Sequence, residues 1–537
     1  MKKWTPLIVL SSAAFMMSLD GAVLSVSIAQ LVTDFNTTVL NIQAVVTYSF
    51  LIMASLMLVG GKLGDIYGRR RAFAAGLALF TIGALVAATS QSVATLNIGF
   101  AALKGVGGAL MFPAIVALLG STYSGKDRAV AFGAFGGISG AGGTIGLILG
   151  GWVTTNLSWR YIYWGELVIG IVLLLLVRQI KDTQQEGARP KLDWIGGILS
   201  ALGFGLVVYG ILQSSVWGLI TSVNSPIDLF GLSLTPFIVG AGLLVLFLFI
   251  NWEERRLSRS EEIPGKETEV PLVRLTIFGN RSVSGVMVAT LLQSVIVGGI
   301  TFGIPLYLQV VIGLNAFETG LRLLPFTLAM LVTAMGLSGY LRQYAPRLII
   351  RFGFSGMLLG SIIILFALDS DLQGFALALG LGLIGVGLGF LAATLGNLLQ
   401  SSVIDRDRSE AGATENTMAR LGTSLGVAII GSIVITGLAS AFQTQIVDDP
   451  RLSVEIAQES ELALSKGLSF MPTAQLQAIL ENSEPSPPPG ISAALIEGYE
   501  TSQVQALQLG FIVVGFVAIV ALLSTALLPP TKLEEAG

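Results

Sequence analysis

Apolar stretches of about bilayer length follow one another along almost the whole chain. A helix needs roughly 20 mostly apolar residues to cross the hydrocarbon core. Fourteen stretches meet that need: 7–32, 41–60, 73–90, 95–119, 131–156, 160–178, 193–214, 233–251, 283–308, 317–340, 348–368, 373–400, 414–441 and 504–528. The pattern predicts an all-α membrane protein with both ends on one side. Met1-Lys2-Lys3 before an apolar run imitates a secretory signal, but the run reaches about Val32 and carries Asp20 in its middle. It therefore reads as the first span. Two connections are long. Residues 252–282 carry both signs of charge and read as a partly helical cytoplasmic linker. Residues 442–503 are acidic and interrupted by Ser483 through Gly490, which predicts a solvated cap or loop, with a short surface helix over Val454–Leu468.

Composition agrees with this picture. Hydrophobic residues make up 53% of the 537 positions and charged residues 12%, about half the charge of an ordinary soluble surface. The 65 glycines suit helices that pack through small residues in lipid. Lys and Arg then set the direction. With the N-terminus cytoplasmic, 24 of the 30 fall on the inside, and only Arg160, Arg322, Arg451 and Lys466 fall outside. Arg420 sits at the inner end of span thirteen, and Lys104 lies within span four. The reading is a multi-pass cell-membrane protein with both termini cytoplasmic.

Several chemistries are excluded. A net charge of −3 gives no basic field for nucleic acid. With no Cys there is no disulfide, thiolate metal site or cysteine nucleophile; with no His, any proton-coupled step must rest on carboxylates. No phosphate-cradling loop or metal-ligand cluster is present, so no cofactor or metal is expected and the chain does not read as an enzyme. A receptor or scaffold would not need charges at the membrane midplane, and three are there: Asp20, Lys104 and Glu166. At ~1.5 Å per residue they all reach the outer half of the bilayer core and can meet. Such charges are costly, so they pair, face a cavity or mark a pathway. A buried ion pair that merely holds helices together is the plainer alternative.

The strongest local motif is Gly61-Lys62-Leu63-Gly64-Asp65-Ile66-Tyr67-Gly68-Arg69-Arg70-Arg71, a tight turn between spans two and three. Its arginines also serve topology, and Asp65 faces them or a helix N-terminus. Here the chain resembles the major facilitator superfamily, whose loop signature is G-x-L-x-D-x-x-G-R-R/K. The resemblance implies a loop that latches two helix bundles in one state and helps gate alternating access. Other stretches are similar to the fourteen-helix drug:proton antiporter branch: Leu19-Asp20-Gly21-Ala22-Val23, Gly105 through Pro113, Gly146-Leu147-Ile148-Leu149-Gly150-Gly151, Trp159-Arg160, Pro305 through Gln309, and Leu421 through Gly426. The departures concern proton handling. Ala101 stands where that branch has its relay Arg, Lys104 where it has Gln, Leu147 where the antiporter motif has Pro, and Glu166 where Asn is usual.

The resemblance implies spans 1–6 and 9–14 as two six-helix bundles around a central cavity, with spans 7 and 8 inserted beside them. The corresponding units are residues 1–180, 181–282 and 283–537. The leading functional reading is proton-coupled efflux of hydrophobic or cationic compounds, with Asp20 exchanging proton and substrate and Glu166 and Lys104 beside it. Export or flipping of a lipid or amphiphile is the runner-up, and metabolite uptake comes third. The partners expected are a small-molecule or lipid-like substrate, protons and membrane lipids, with the protein monomeric. Gly146, Gly150 and Gly151 read as gating or as ordinary close packing. Tyr48, Gln293, Tyr307, Gln309 and Asn397 are candidates for lining the pocket or for bridging helices.

Overall fold

The structure is a computed structural model that describes residues 3–123, 125–180, 192–220, 222, 225–227, 231–262, 272–336, 344–369, 372–403, 408–449, 451, 470–482 and 488–529. Among these residues every regular element is a helix. Fourteen helical segments are long and apolar enough to cross a membrane: Thr5–Val26, Val39–Tyr67, Arg69–Ala88, Val93–Thr122, Ala134–Asn156, Arg160–Gln179, Trp194–Ser214, Thr235–Ser258, Arg281–Val311, Ala316–Ala334, Pro346–Ala367, Gly374–Ser402, Ala411–Val447 and Gly490–Leu527. They are spans one to fourteen below. Their starts follow local chemistry. Pro6 opens span one, where a missing N–H costs nothing. The Thr38 hydroxyl accepts from Asn41 N at the start of span two, and Asn315 with Glu318 forms a capping box at the start of span ten.

The expected loop over 442–503 is corrected at both ends. Span thirteen belongs to one helix over Arg408–Asp448, and the last helix begins at Pro489. A short helix, Thr473–Glu481, lies between them. Tertiary contacts carry these helices beyond the apolar runs: Phe442 meets Tyr499 edge-on at 5.7 Å, Met471 N donates to the Tyr499 hydroxyl at 2.9 Å, and Gln503 Nε2 donates to Met471 O at 2.7 Å. Arg451 bridges Asp449 and Glu497 at 2.7 and 2.8 Å and holds the Asp449 carboxyl below its ordinary range. The surface helix expected over Val454–Leu468 lies outside the described residues.

In the first half span one packs on five, span two on four, and span three on four and six; in the second, nine packs on thirteen, eleven on twelve, ten on twelve, and thirteen on fourteen. The halves meet where span two lies on thirteen and span five on ten. Span seven leans on both two and thirteen, so the inserted pair covers one side of that seam. Asp193 ties the pair together: its carboxylate caps Gly196 N at 2.9 Å and accepts from Trp252 Nε1 at 2.9 Å. Span eight turns Leu243, Leu244 and Phe247 outward, as a lipid-facing helix should.

Close approach replaces hydrophobic burial as the packing device in lipid. Gly142, Gly146 and Gly150 lie one turn apart on the face of span five that meets span one. A Cβ on Gly146 would come within 2.8 Å of Ala22 Cβ and 3.0 Å of Leu19 O. Gly151 points the other way and abuts the Ala316 backbone of span ten. Gly146, Gly150 and Gly151 therefore press span five against the stretch of span one that carries Asp20, and against the opposite half.

Three departures from α geometry matter. Span one breaks at Ser27 and resumes over Ile28–Asp34. Span four passes into a π-helix, Asn97–Lys104, after one α turn, and span nine closes in another, Tyr307–Val311. The break in span one frees the Ala29 amide, which donates across the seam to Gln309 Oε1 at 3.1 Å. Phe317 N to Thr155 Oγ1 at 3.2 Å, Gln43 Nε2 to Val427 O at 2.8 Å and Ser424 Oγ to Thr47 O at 3.0 Å also cross it. All four lie in the half away from the Gly61–Arg71 loop, or near the middle of the spans. A neutral hydrogen bond contributes about 0.5–1.5 kcal/mol, so losing one shifts a two-state seam by up to about tenfold. Because the chain lacks Cys, a single Ser49→Cys, on the wall of the cavity between the halves, reports opening without background. Adding Gln309→Leu should raise its labelling from the far face by a membrane-impermeant maleimide several-fold. An unchanged rate would remove Gln309 from the seal.

Candidate functional site

The three midplane charges come together. Lys104 Nζ lies 2.6 Å from Asp20 Oδ1 and 2.5 Å from Glu166 Oε2, with all three side chains buried. Each comes from a different helix of the first half, spans one, four and six. Phe80 and Tyr163 present their rings to the ammonium at 4.5 and 4.6 Å, and Phe100 does so at 5.4 Å. This cation–π box adds attraction without adding charge.

The local fold explains how Lys104 reaches that position. It ends the π-helical segment, whose i→i+5 pattern turns the chain by more residues per turn than an α-helix. Gly83 of span three then leaves room for its stem: a Cβ there would lie 2.6 Å from Lys104 Cγ and 2.6 Å from Gly99 O. The π segment and the glycine opposite it are thus parts of one device that inserts a lysine between two carboxylates.

Charge counting defines the chemistry. Two carboxylates and one ammonium carry net −1 when all are ionised, and one proton makes the cluster neutral. The two acids differ in access. Asp20 and Lys104 line a cavity, whereas Glu166 is not among its described lining residues. The cavity is also walled by Met17, Met53, Phe50 and Phe100, a soft lining that suits varied apolar ligands. Arg420 of span thirteen completes it from the opposite half. The helix begins at Arg408, so Arg420 lies about 18 Å along it.

None of Tyr48, Gln293, Tyr307, Gln309 and Asn397 is in the described lining of this cavity. Tyr48 packs with Leu212 and Leu421 toward span seven. The Tyr307 hydroxyl donates to Asp369 O at 2.8 Å, pinning the end of span nine to the loop after span eleven. Gln309 spans the seam, Gln293 keeps a buried Oε1 without a hydrogen-bond partner among the described residues, and Asn397 is exposed with Nδ2 on Ala393 O. Polar residues in long apolar helices bridge neighbours, and sequence alone does not separate that use from lining a pocket.

At the loop, Gly61 and Gly64 lie inside the helix of span two, and only Gly68, at φ 104°, makes the turn. A side chain there would be strained. Arg69 pairs with Asp65 one turn back at 3.3 Å, and Arg70 Nη1 donates to Ile180 O at 3.2 Å, tying the loop to the end of span six. These contacts stay within the first half. At the far end, Asp34 accepts from Trp159 Nε1 at 2.8 Å and from Arg160 Nη1 at 3.2 Å, while Arg160 Nη2 donates to Ser90 O at 2.9 Å. The Trp159-Arg160 pair thus clamps spans one, three and six, using an Asp34 that the motif alone does not point to.

Two packed helical halves, an inserted pair, and a buried charge cluster beside a cavity at their interface define a multi-pass membrane transporter, not an enzyme. The chain belongs to the Major Facilitator Superfamily, whose family model matches residues 10–427. It is similar to the multidrug transporter protein MdtP of Bacillus subtilis, with 25% identity covering 97% of this chain and 92% of that protein. It is also similar to the tetracenomycin C resistance and export protein of Streptomyces glaucescens (26%, covering 97% and 90%) and to the puromycin resistance protein pur8 of Streptomyces alboniger (27%, covering 84% and 86%). In fold it is similar to a bacterial homolog of the human lysosomal transporter Spinster, with TM-score 0.58 at 14% identity over 98% of each chain. The peptide transporter POT in complex with sulfate gives 0.56 at 16% identity, over 79% and 87%.

Proposed function

We propose that the protein exports hydrophobic or cationic compounds in exchange for protons by alternating access. The observation that carries this reading is Lys104 held between Asp20 and Glu166 at the edge of the cavity. Asp20 faces the cavity, so substrate and proton compete for one carboxylate. Glu166, out of the cavity, keeps the second negative charge that makes proton uptake by the cluster favourable. Exchange follows when only the loaded states cross between the two open forms. Relatives named for multidrug transport and antibiotic resistance or export support the direction. The Gly61–Arg71 loop acts as the gate latch, the proton gradient replaces any cofactor, and the protein works as a monomer. The Lys and Arg bias supports a cell-membrane orientation with both termini cytoplasmic.

The test is transport in proteoliposomes with an imposed pH gradient and a fluorescent hydrophobic cation such as ethidium. Gradient-driven accumulation is expected in the wild type and should fall at least about 100-fold in Asp20→Asn. Accumulation unaffected by Asp20→Asn would sink the assignment. A second reading, export of an amphipathic lipid-like molecule, is favoured by one observation, the placement of Arg420.

A further inference from the structure

The cavity is charged on both walls. The first half contributes the Asp20, Lys104 and Glu166 cluster. The described residue that span thirteen contributes is Arg420. The Arg420 guanidinium carbon lies 6.0 Å from the Phe50 ring centroid and 5.9 Å from that of Phe112. Among the described residues no carboxylate pairs with it and no hydrogen bond engages it. A guanidinium within a span is costly unless something compensates its charge and its five donors. Two ring faces compensate part of the charge and none of the hydrogen bonds. The remaining fork is a planar receptor for an oxyanion.

We propose that Arg420 receives the phosphate or carboxylate of an amphipathic substrate. The apolar chain lies among Met17, Met53 and Phe80, and a cationic group on the same molecule reaches Asp20. This rests on reading the cavity as the substrate site and names the substrate class within it. With the cluster at net −1 and Arg420 at +1, the walls complement a zwitterion. A simple hydrophobic cation meets Asp20 favourably but Arg420 unfavourably. The site therefore still admits a hydrophobic cation through Asp20, but binds a molecule that carries both charges more tightly.

The test uses the full-length protein in uncharged maltoside micelles, with equilibrium dialysis against protein-free micelles as the blank. The probes share one chain: decyltrimethylammonium and decylphosphocholine, with chainless phosphocholine alongside. Wild type is expected to bind decylphosphocholine at least tenfold more tightly than decyltrimethylammonium, and phosphocholine negligibly. Arg420→Gln should reduce that preference about tenfold or more while leaving the cation's affinity equal or improved. Arg420→Lys keeps the charge but not the fork; it should keep the order with a smaller ratio, and it serves if the glutamine variant does not fold. A preference that survives both variants overturns the proposal. So does a wild type that prefers the cation, or an Arg420→Gln that weakens both chain-bearing probes equally, as loss of an ion pair closing the two halves would. Phosphocholine bound as well as its decyl ester would mean a free phosphate ligand, and would overturn the amphipathic assignment. Failure of proton coupling alone leaves the ratio intact, since no gradient is used.

Discussion

Lys104→Met should destabilise the protein by about 3–5 kcal/mol, and most of that loss should return when Asp20→Asn and Glu166→Gln are added. The reasoning is electrostatic. Lys104 lies within 2.6 Å of both carboxylates, buried in a box of three aromatic rings. Removing the ammonium leaves two acids with no counter-ion, whereas removing all three charges leaves a neutral cluster of similar volume. Thermal unfolding in detergent, read as the midpoint for each variant, checks both halves of the expectation. A Lys104→Met protein as stable as wild type would mean that the cluster is not held by its charges. A triple variant no better than the single one would place the loss in packing instead.

Gly83→Val should be nearly as damaging, although it touches neither carboxylate. A Cβ at Gly83 lies 2.6 Å from Gly99 O, which is backbone, and 2.6 Å from Lys104 Cγ. Spans three and four must part, or the lysine stem must leave its channel. Overpacking of this kind costs about 1–3 kcal/mol, and the displaced ammonium adds to it. Gradient-driven transport should be lost along with several degrees of melting temperature. Gly136→Ala is the control, since a Cβ there meets nothing within 4 Å, and it should behave as wild type. Full transport by Gly83→Val would show that the π-helical placement of Lys104 is not needed.

Much of this was legible in the sequence because membrane helices announce themselves. An apolar run of bilayer length needs no tertiary information, and fourteen of them match the fourteen spans. Their ends do need it: Phe442, Met471 and Tyr499 extend two helices into a segment whose composition alone suggests a solvated loop. Asp20, Lys104 and Glu166 stand out as charges where charge is expensive. How Lys104 meets the other two depends on the π segment, which has no compositional signature beyond Gly83 and Gly99 facing each other. Thr414 through Arg420 is polar enough to suggest a helix end, while the helix begins at Arg408, and nothing in that stretch announces that Arg420 reaches the cavity. The five polar pocket candidates failed to reach the cavity because hydrogen-bonding capacity says nothing about which face of a helix is turned inward.

The most direct test of the central claim, that the Asp20–Lys104–Glu166 cluster trades a proton for substrate, needs no membrane gradient. Purified protein in weakly buffered detergent near pH 7 is titrated with substrate while the solution pH is followed by electrode or indicator dye. Displacement of a proton from the cluster should appear as saturable acidification approaching one proton per protein, absent in Asp20→Asn. Substrate binding with no proton release in the wild type, or with the same release in Asp20→Asn, would contradict it.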